Sequence, residues 1–291
     1  MSSRRLLIVH AHPDDETIGT GITMAKYVAE GASVTLVTCT LGEEGEVLVP
    51  DLTHLAAEHT DSLGPHRHGE LRSAMSELGV TDWQLLGEPG KYRDSGMVDT
   101  PSNNHERAFM NADLLTAAAD LVGIIRDRRP QVVVTYDEFG GYGHPDHIQA
   151  HRVTTYAASL AGAPGFRPDL GTPWQISKFY WTAFPRSVIV AGIEAMRAAG
   201  DTSEFAEMDP DDLPFVVDDD VVSTSIEGGA FLDAKMAALR EHATQITTDG
   251  GFFALADAVG MQAFGTEYFR LVQGPTPASE EMETDFFTGV A

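Results

Sequence analysis

One histidine and three carboxylates stand together in the run HPDDE at residues 12–16. Pro13 fixes its own backbone and restricts the residue before it to extended geometry, so a rigid turn presents these side chains. Because Asp14 and Asp15 are adjacent, their side chains diverge, and one can ligate a metal ion while the other does acid–base work. An aspartate that caps a helix is the alternative, but it accounts for only one of the carboxylates.

A second polar cluster, DEFGGYGHPDH, occupies residues 137–147. His144 and His147 are three residues apart at the start of a predicted helix, so they lie on one side of it. Asp146 is close enough to orient a histidine by hydrogen bonding. The glycines around Tyr142 permit unusual backbone angles, which favours a loop that can move. The alternative is an ordinary helix start with surface histidines.

Together the two clusters offer a metal ion three ligands: a histidine and an aspartate from the first, and a histidine from the second. Catalytic zinc sites have three protein ligands and keep a position for water, whose pKa falls to about 7. Zn²⁺ is the expected ion, and Fe²⁺ suits the same ligands. The single cysteine, Cys39, excludes a zinc site made of several thiolates. The first cluster also lacks the G-x-G-x-x-G of a dinucleotide site.

The elements that must position these clusters alternate between strand and helix. Both clusters directly follow apolar, β-branched runs, which places them at strand ends. Such alternation predicts an α/β fold with a mostly parallel sheet and helices on both faces. The predicted strands are 5–10, 33–38, 83–86, 131–136 and 178–182, and the predicted helices are 16–30, 69–78, 112–128 and one that begins near Pro145.

The alternation weakens beyond Pro185. Residues 1–185 are therefore predicted to form the catalytic domain, and residues 186–291 a smaller C-terminal subdomain or lid. An acidic stretch at 204–220 is typical of an exposed excursion, while 234–245 predicts a helix that returns to the catalytic domain. The acidic stretch from about Thr276 is expected to be mobile.

The charge balance limits the partners. Nineteen Lys and Arg against 44 Asp and Glu give a formal net charge of −25, which disfavours nucleic acid and anionic membranes. The chain has neither a signal-peptide core nor the roughly 18 apolar residues of a membrane span. A cytoplasmic location is therefore expected, and the oligomeric state is left open.

The segments AHPDDE and GGYGHPDH, in this order, resemble the LmbE/PIG-L family of zinc-dependent N-acetylglucosaminyl deacetylases. Three further segments, at residues 38–47, 67–80 and 92–97, are similar to its actinobacterial branch in mycothiol biosynthesis. The likeness covers most of residues 5–185 and reappears at KMAALREHATQ, residues 235–245. Gly19 departs from relatives that can offer a hydroxyl in this helical turn.

The resemblance implies a Rossmann-like sheet and a small amino-sugar substrate. It assigns His12, Asp15 and His147 as metal ligands and Asp14 as the general base. The implied reaction is hydrolysis of the acetamide of N-acetylglucosaminyl-inositol to glucosaminyl-inositol and acetate. A mycothiol S-conjugate amidase, which cuts a larger amide with the same ligands, is the near alternative. A non-catalytic sugar- or metal-binding protein is the alternative from another class.

The resemblance also implies roles around the reacting bond. Tyr142 would help to hold the oxyanion, and His144 would protonate the departing amine with Asp146 orienting its imidazole. The implied substrate contacts are Arg67, Asp94 and Met97 near the sugar, and Glu46 near the acid–base groups. The remaining histidines, among them His10 and His242, are expected to be structural or to have no role.

Overall fold

The computed structural model describes residues 4–198, 200, 204–247, 265–275 and 282–290. Its strands are β1 Arg5–His10, β2 Ser33–Thr38, β3 Asp82–Leu85, β4 Val132–Thr135, β5 Lys178–Pro185, β6 Val216–Val217, β7 Thr224–Glu227 and β8 Thr266–Gln273. Its α-helices are α1 Asp15–Ala29, α2 Leu63–Glu77, α3 Leu114–Arg128, α4 Gly140–Gly143, α5 Pro145–Ala161, α6 Arg186–Ala198, α7 Glu204–Glu207 and α8 Leu232–Glu241.

One sheet runs through the molecule in the order β3-β2-β1-β4-β5-β8-β7, with the short β6 paired to the end of β5. The strands from β3 to β5 are all parallel, whereas β8 is antiparallel to both β5 and β7. Parallel neighbours need long crossovers, and the helices between them supply these. The prediction of an α/β fold with a mostly parallel, Rossmann-like sheet is confirmed.

Helices cover both faces of this sheet. Leu7 and Val9 of β1 point to a core shared with α3 and α5, while Leu6 and Ile8 point to a core shared with α1, α2 and α8. Because alternate strand residues face opposite sides, an apolar strand can be buried on both faces. β1 and β4 are buried in this way, and their ends are held rigidly.

The predicted helix at 69–78 begins earlier, at Leu63. Pro65 lies in the first turn of this helix, where N–H groups have no internal partner and proline is tolerated. The earlier start places Arg67 on α2, in the turn that faces the ends of β1 and β2.

The C-terminal region shares the central sheet, because β7 and β8 extend it beyond β5. The expected mobile stretch lies partly outside the described residues, and its described part, 282–290, is anchored instead. Glu283 is buried against Lys178, Tyr180 and Thr224, and Phe286 is fully buried. The expectation of mobility is therefore wrong for that part. The boundary at residue 185 stays a prediction.

No helix within the described ranges is both long and apolar enough to cross a membrane.

Candidate active site

The two polar clusters meet where the strand order changes direction. β1 lies next to β4 in parallel register, with Ile8 opposite Val134, so their carboxyl ends open at the same edge. From β1 the chain continues to β2 on one side, while β4 lies on the other. Open α/β sheets bind their ligands at such a switch point. The residues that follow both strands therefore face one crevice.

Three potential ligand atoms form an equilateral triangle in this crevice. Nδ1 of His12 lies 3.3 Å from Oδ2 of Asp15, Nε2 of His147 lies 3.3 Å from the same oxygen, and the two nitrogens are 3.3 Å apart. A tetrahedral ion about 2.0–2.1 Å from each ligand separates its ligands by about 3.3–3.4 Å. The spacing and the N/O chemistry of these donors fit a zinc-sized divalent ion.

Two further groups of three donor atoms also converge within 4.8 Å of one another: His12, His144 and His147, and His12, Asp94 and Asp146. In the second group, Asp94 and Asp146 lie near Nε2 of His12, whereas the triangle uses Nδ1 of the same ring. A histidine that binds a metal through one nitrogen usually donates the N–H of the other to a carboxylate. The first group shows that His144 borders the same space. The triangle with Asp15 is the set that contains the three ligands expected from the sequence.

Hydrogen bonds orient both histidine rings of the triangle. Nδ1 of His147 lies 3.1 Å from the carbonyl oxygen of Gly140, so in the neutral ring Nδ1–H donates and Nε2 keeps its lone pair. Gly140 has φ +67°, and a Cβ there would lie 2.6 Å from Cβ of His147, so only glycine permits this approach. Nε2 of His12 faces Asp146 at 3.3 Å and Asp94 at 3.4 Å.

Asp15 is fixed by a tyrosine that sequence reasoning did not single out. The hydroxyl of Tyr136 donates to Oδ2 of Asp15 at 2.8 Å and accepts from the backbone N–H of Ala11 at 2.9 Å. The same carboxylate oxygen accepts from the N–H of His12. Tyr136 directly follows β4, so its position at a strand end was the available signal.

Asp14 occupies the N-cap position of α1, but its side chain makes no capping hydrogen bond. Its φ of 113° and ψ of −39° are strained for a residue with a Cβ. Capping by Asp14 therefore does not explain this aspartate. Burial raises the pKa of Asp14 to about 6, with Asp15 acting in the same direction and Arg67 opposing it. Such a carboxyl group can accept a proton near neutral pH.

The buried guanidinium of Arg67 holds this carboxylate. Its Nη2 donates to Oδ2 of Asp14 at 3.0 Å and to the carbonyl oxygen of Pro13 at 2.5 Å, while Nη1 donates to the carbonyl oxygen of Gly42 at 2.6 Å. Arg67 therefore contacts the proposed base directly, through a fork that suits a planar guanidinium.

His144 caps α5 with its side chain. Its Nδ1 accepts the backbone N–H of Asp146 at 3.1 Å, so the proton of the neutral ring is on Nε2. Burial lowers the pKa of His144 to about 3, helped by His12 and His147. The carboxylate of Asp146 turns instead towards His12 and accepts from the N–H and hydroxyl of Ser95.

The predicted substrate contacts lie in different surroundings. Asp94 is buried beside His12 and accepts from the N–H of Gly96 at 2.9 Å. Met97 and Tyr142 are both 45% exposed, and the Tyr142 ring lies 5.0 Å from that of His147. Glu46 is exposed, and its carbonyl oxygen accepts from the side chain of Gln245. The structure thus brings Asp94 and Tyr142 to the triangle and leaves Met97 and Glu46 at the surface.

The second group that sequence reasoning missed comes from far along the chain. His242, just beyond α8, lies 2.9 Å from the carboxylate of Glu16, and both side chains are fully buried. The two residues are 226 positions apart, so only the tertiary structure brings them together.

Residues 7–158 match the PIG-L family model, described as GlcNAc-PI de-N-acetylase. A protein of Geodermatophilus obscurus named 1D-myo-inositol 2-acetamido-2-deoxy-alpha-D-glucopyranoside deacetylase is 61% identical over 99% of this chain and 98% of its own length.

Solved structures share the fold at lower identity. The N,N'-diacetylchitobiose deacetylase of Pyrococcus horikoshii has a TM-score of 0.61 at 18% identity, over 96% of this chain and 89% of its own. GalB, a 4-carboxy-2-hydroxymuconate hydratase of Pseudomonas putida, has a TM-score of 0.58 at 18% identity, over 96% and 100%. The fold alone therefore does not decide the reaction. The family match and the full-length relative do decide the family, and the chain belongs to the PIG-L family of GlcNAc-PI de-N-acetylases.

Proposed function

We propose that this protein is a metal-dependent N-deacetylase that hydrolyses the acetamide of N-acetylglucosaminyl-inositol. The products are glucosaminyl-inositol and acetate, which places the reaction in mycothiol biosynthesis. The observation that carries the proposal is the triangle of His12, Asp15 and His147 with the raised-pKa carboxyl of Asp14 next to it. The substrate follows from the name of the relative that is 61% identical over nearly the whole chain.

His12, Asp15 and His147 are the proposed ligands of Zn²⁺, and Fe²⁺ suits the same donors. When bound, such an ion supplies Lewis acidity towards the amide carbonyl and lowers the pKa of water. The hydrogen bonds from Tyr136 to Asp15 and from His12 to Asp146 keep the ligands in place before the ion arrives. Preorganised ligands of this kind lose little entropy on binding.

Asp14 is the proposed general base. Its carboxylate is held by Arg67 and is next in sequence to a ligand, so it can take a proton from a water molecule that attacks the amide carbon. Burial supports this role because it keeps the pKa of Asp14 near that of a neutral-pH base. Arg67 fixes the direction in which the carboxylate points.

Two further residues that border the triangle would complete the reaction. Burial and the neighbouring Asp15 raise the pKa of the Tyr142 phenol, so it stays protonated and can donate a hydrogen bond to the developing oxyanion. His144 is the proposed proton donor to the departing amine. Its Nδ1 accepts the N–H of Asp146, so Nε2–H is the group that can donate to the amine. To donate without becoming an anion, the ring must first accept a second proton, such as the one that Asp14 takes from water, and its pKa of about 3 then makes the imidazolium a strong acid.

Sugar hydroxyls need buried polar partners and a ring face to lie on. Asp94 is the proposed hydroxyl acceptor because it is buried beside His12. Exposed Met97 would cover a ring face, and exposed Glu46 is a further proposed contact. Arg67 was expected near the sugar, but its buried guanidinium donates to Gly42, Pro13 and Asp14, so its proposed influence on the substrate is through Asp14.

An acetate-release assay tests the proposal. Metal-stripped protein is reconstituted ion by ion and supplied with the inositol-linked acetamido sugar or with a mycothiol S-conjugate. Acetate is measured for the sugar, and the free sugar amine, which hydrolysis of either amide leaves, is measured for both substrates. We expect acetate from the sugar only with a divalent ion, and a lower rate on the conjugate. A faster rate on the conjugate would identify the amidase, and binding of sugar or metal without any hydrolysis would identify a binding protein. The Asp14→Asn variant, which should bind the ion without turnover, is the matched control.

A further inference from the structure

The carboxylate of Glu16 joins three parts of the protein behind the proposed base. Its Oε2 accepts the backbone N–H of Asp14 at 2.9 Å. Its Oε1 accepts from the hydroxyl of Thr17 at 2.7 Å and from Nε2 of His242 at 2.9 Å. Glu16 and His242 are both fully buried, so these hydrogen bonds are made without competition from water.

The N–H that Glu16 holds belongs to the residue with the strained backbone. A φ of 113° costs Asp14 free energy that the surrounding structure must supply. Arg67 contacts the same residue through its side chain, and Glu16 is the contact that holds its N–H. The direction of the Asp14 carboxylate therefore depends on where the carboxylate of Glu16 is fixed.

His242 fixes Glu16 from the C-terminal part of the chain. It follows α8, and its backbone carbonyl accepts from the N–H groups of Gln245 and Ile246. Its ring is held by Glu16 at 2.9 Å and lies 3.4 Å from the hydroxyl of Thr17, while Nδ1 has no hydrogen-bond partner among the described residues. The ring thus directs its hydrogen bonding towards the turn that carries Asp14.

We infer that His242 is a positioning residue for catalysis, which acts through Glu16 to hold the backbone of Asp14 in the strained conformation that aims its carboxylate. The inference rests on the proposed role of Asp14 as general base. Active-site groups need this support because small misplacements are costly in rate. The C-terminal region then contributes to the chemistry without touching the substrate.

The chain offers a matched control on the same two helices. Nζ of Lys235 in α8 donates to Oε1 of Glu267 and to the carbonyl oxygen of Ile18, both at 2.8 Å. The carboxylate of Glu267 accepts the N–H groups of Ile22 and Thr23 in α1. This pair also joins the C-terminal region to α1, but its side chains make no hydrogen bond with Asp14 or Glu16 among the described residues.

The experiment compares His242→Leu, His242→Gln and Lys235→Met in the zinc-loaded, full-length enzyme. We expect His242→Leu to lower kcat by about tenfold or more with KM and Zn²⁺ affinity nearly unchanged, because only the base is misdirected. Gln can donate to Glu16, so His242→Gln should recover most of kcat. Lys235→Met should lower the melting temperature and leave kcat within about twofold of wild type.

A crystal structure of His242→Leu gives a readout that does not depend on turnover, and the expected result is that Asp14 leaves its positive φ. The inference is overturned if His242→Leu keeps full kcat, if Asp14 keeps its conformation, or if Lys235→Met lowers kcat equally. If His242→Leu does not fold, the inference stands or falls on whether Glu16→Gln lowers kcat at unchanged Zn²⁺ affinity. Failure of the proposed function would be seen separately, as a wild-type enzyme that releases no acetate.

Discussion

The two adjacent aspartates of the HPDDE turn are held by different parts of the molecule. Asp15 is held by groups at the ends of β1 and β4, namely the N–H of His12 and the hydroxyl of Tyr136. Asp14 is held by Arg67 from α2 and, through Glu16, by His242 beyond α8. Ion binding and proton transfer can therefore be perturbed separately, although the two carboxylates are neighbours in sequence.

The largest effects are expected from two single variants, one of a proposed metal ligand and one of the proposed general base. His147→Ala removes a corner of the triangle and should abolish both Zn²⁺ binding and turnover, whereas Asp14→Asn should keep near-normal Zn²⁺ affinity and lose about 10³-fold or more in kcat. Zinc content after gel filtration and initial rates of acetate release measure the two effects. Equal loss of zinc in both variants would contradict the division of roles.

A smaller effect is expected from the support of Asp15. Tyr136→Phe removes one hydrogen bond to a proposed ligand and should weaken Zn²⁺ binding by about 10–100-fold, because outer partners set ligand geometry. Competition with a chelator measures the affinity, and kcat at saturating Zn²⁺ should fall much less. Unchanged affinity together with a large fall in kcat would place Tyr136 on the proton-transfer side instead.

The smallest effect is expected for Ser95, which reaches the proposed ligand His12 only through Asp146. Ser95 donates to the carboxylate of Asp146, which in turn contacts His12, and it also accepts the N–H of Met110. Ser95→Ala should weaken Zn²⁺ binding by only about two- to tenfold, since the N–H of residue 95 still holds Asp146. Chelator competition on Ser95→Ala and Tyr136→Phe in parallel ranks the two supports, and a larger loss from Ser95→Ala would reverse the ranking.

The sequence was sufficient for the parallel strands β1 to β5 and for the location of the crevice, but not for β7 and β8, which extend the same sheet. Both clusters follow apolar strands, and the ends of parallel neighbours meet at one edge, so residues 12–16 and 137–147 could be expected together. The pairing of Glu16 with His242 could not, because neither periodicity nor spacing relates positions 226 residues apart. The buried Glu283 was missed for a related reason, since an acidic terminal segment resembles solvent-exposed chain until Lys178 and Tyr180 are seen around it.

The position of β8 between β5 and β7 has a consequence for the order in which the protein forms during synthesis. Residues 179–183 of β5 pair with residues 268–273, so this stretch keeps an open hydrogen-bonding edge until β8 has left the ribosome. β7 is synthesised before β8 but cannot join the sheet until β8 is present, because β8 is the strand with which it pairs. A nascent chain that stalls before residue 266 would therefore expose an unpaired strand, which makes truncated products of this protein candidates for aggregation or degradation.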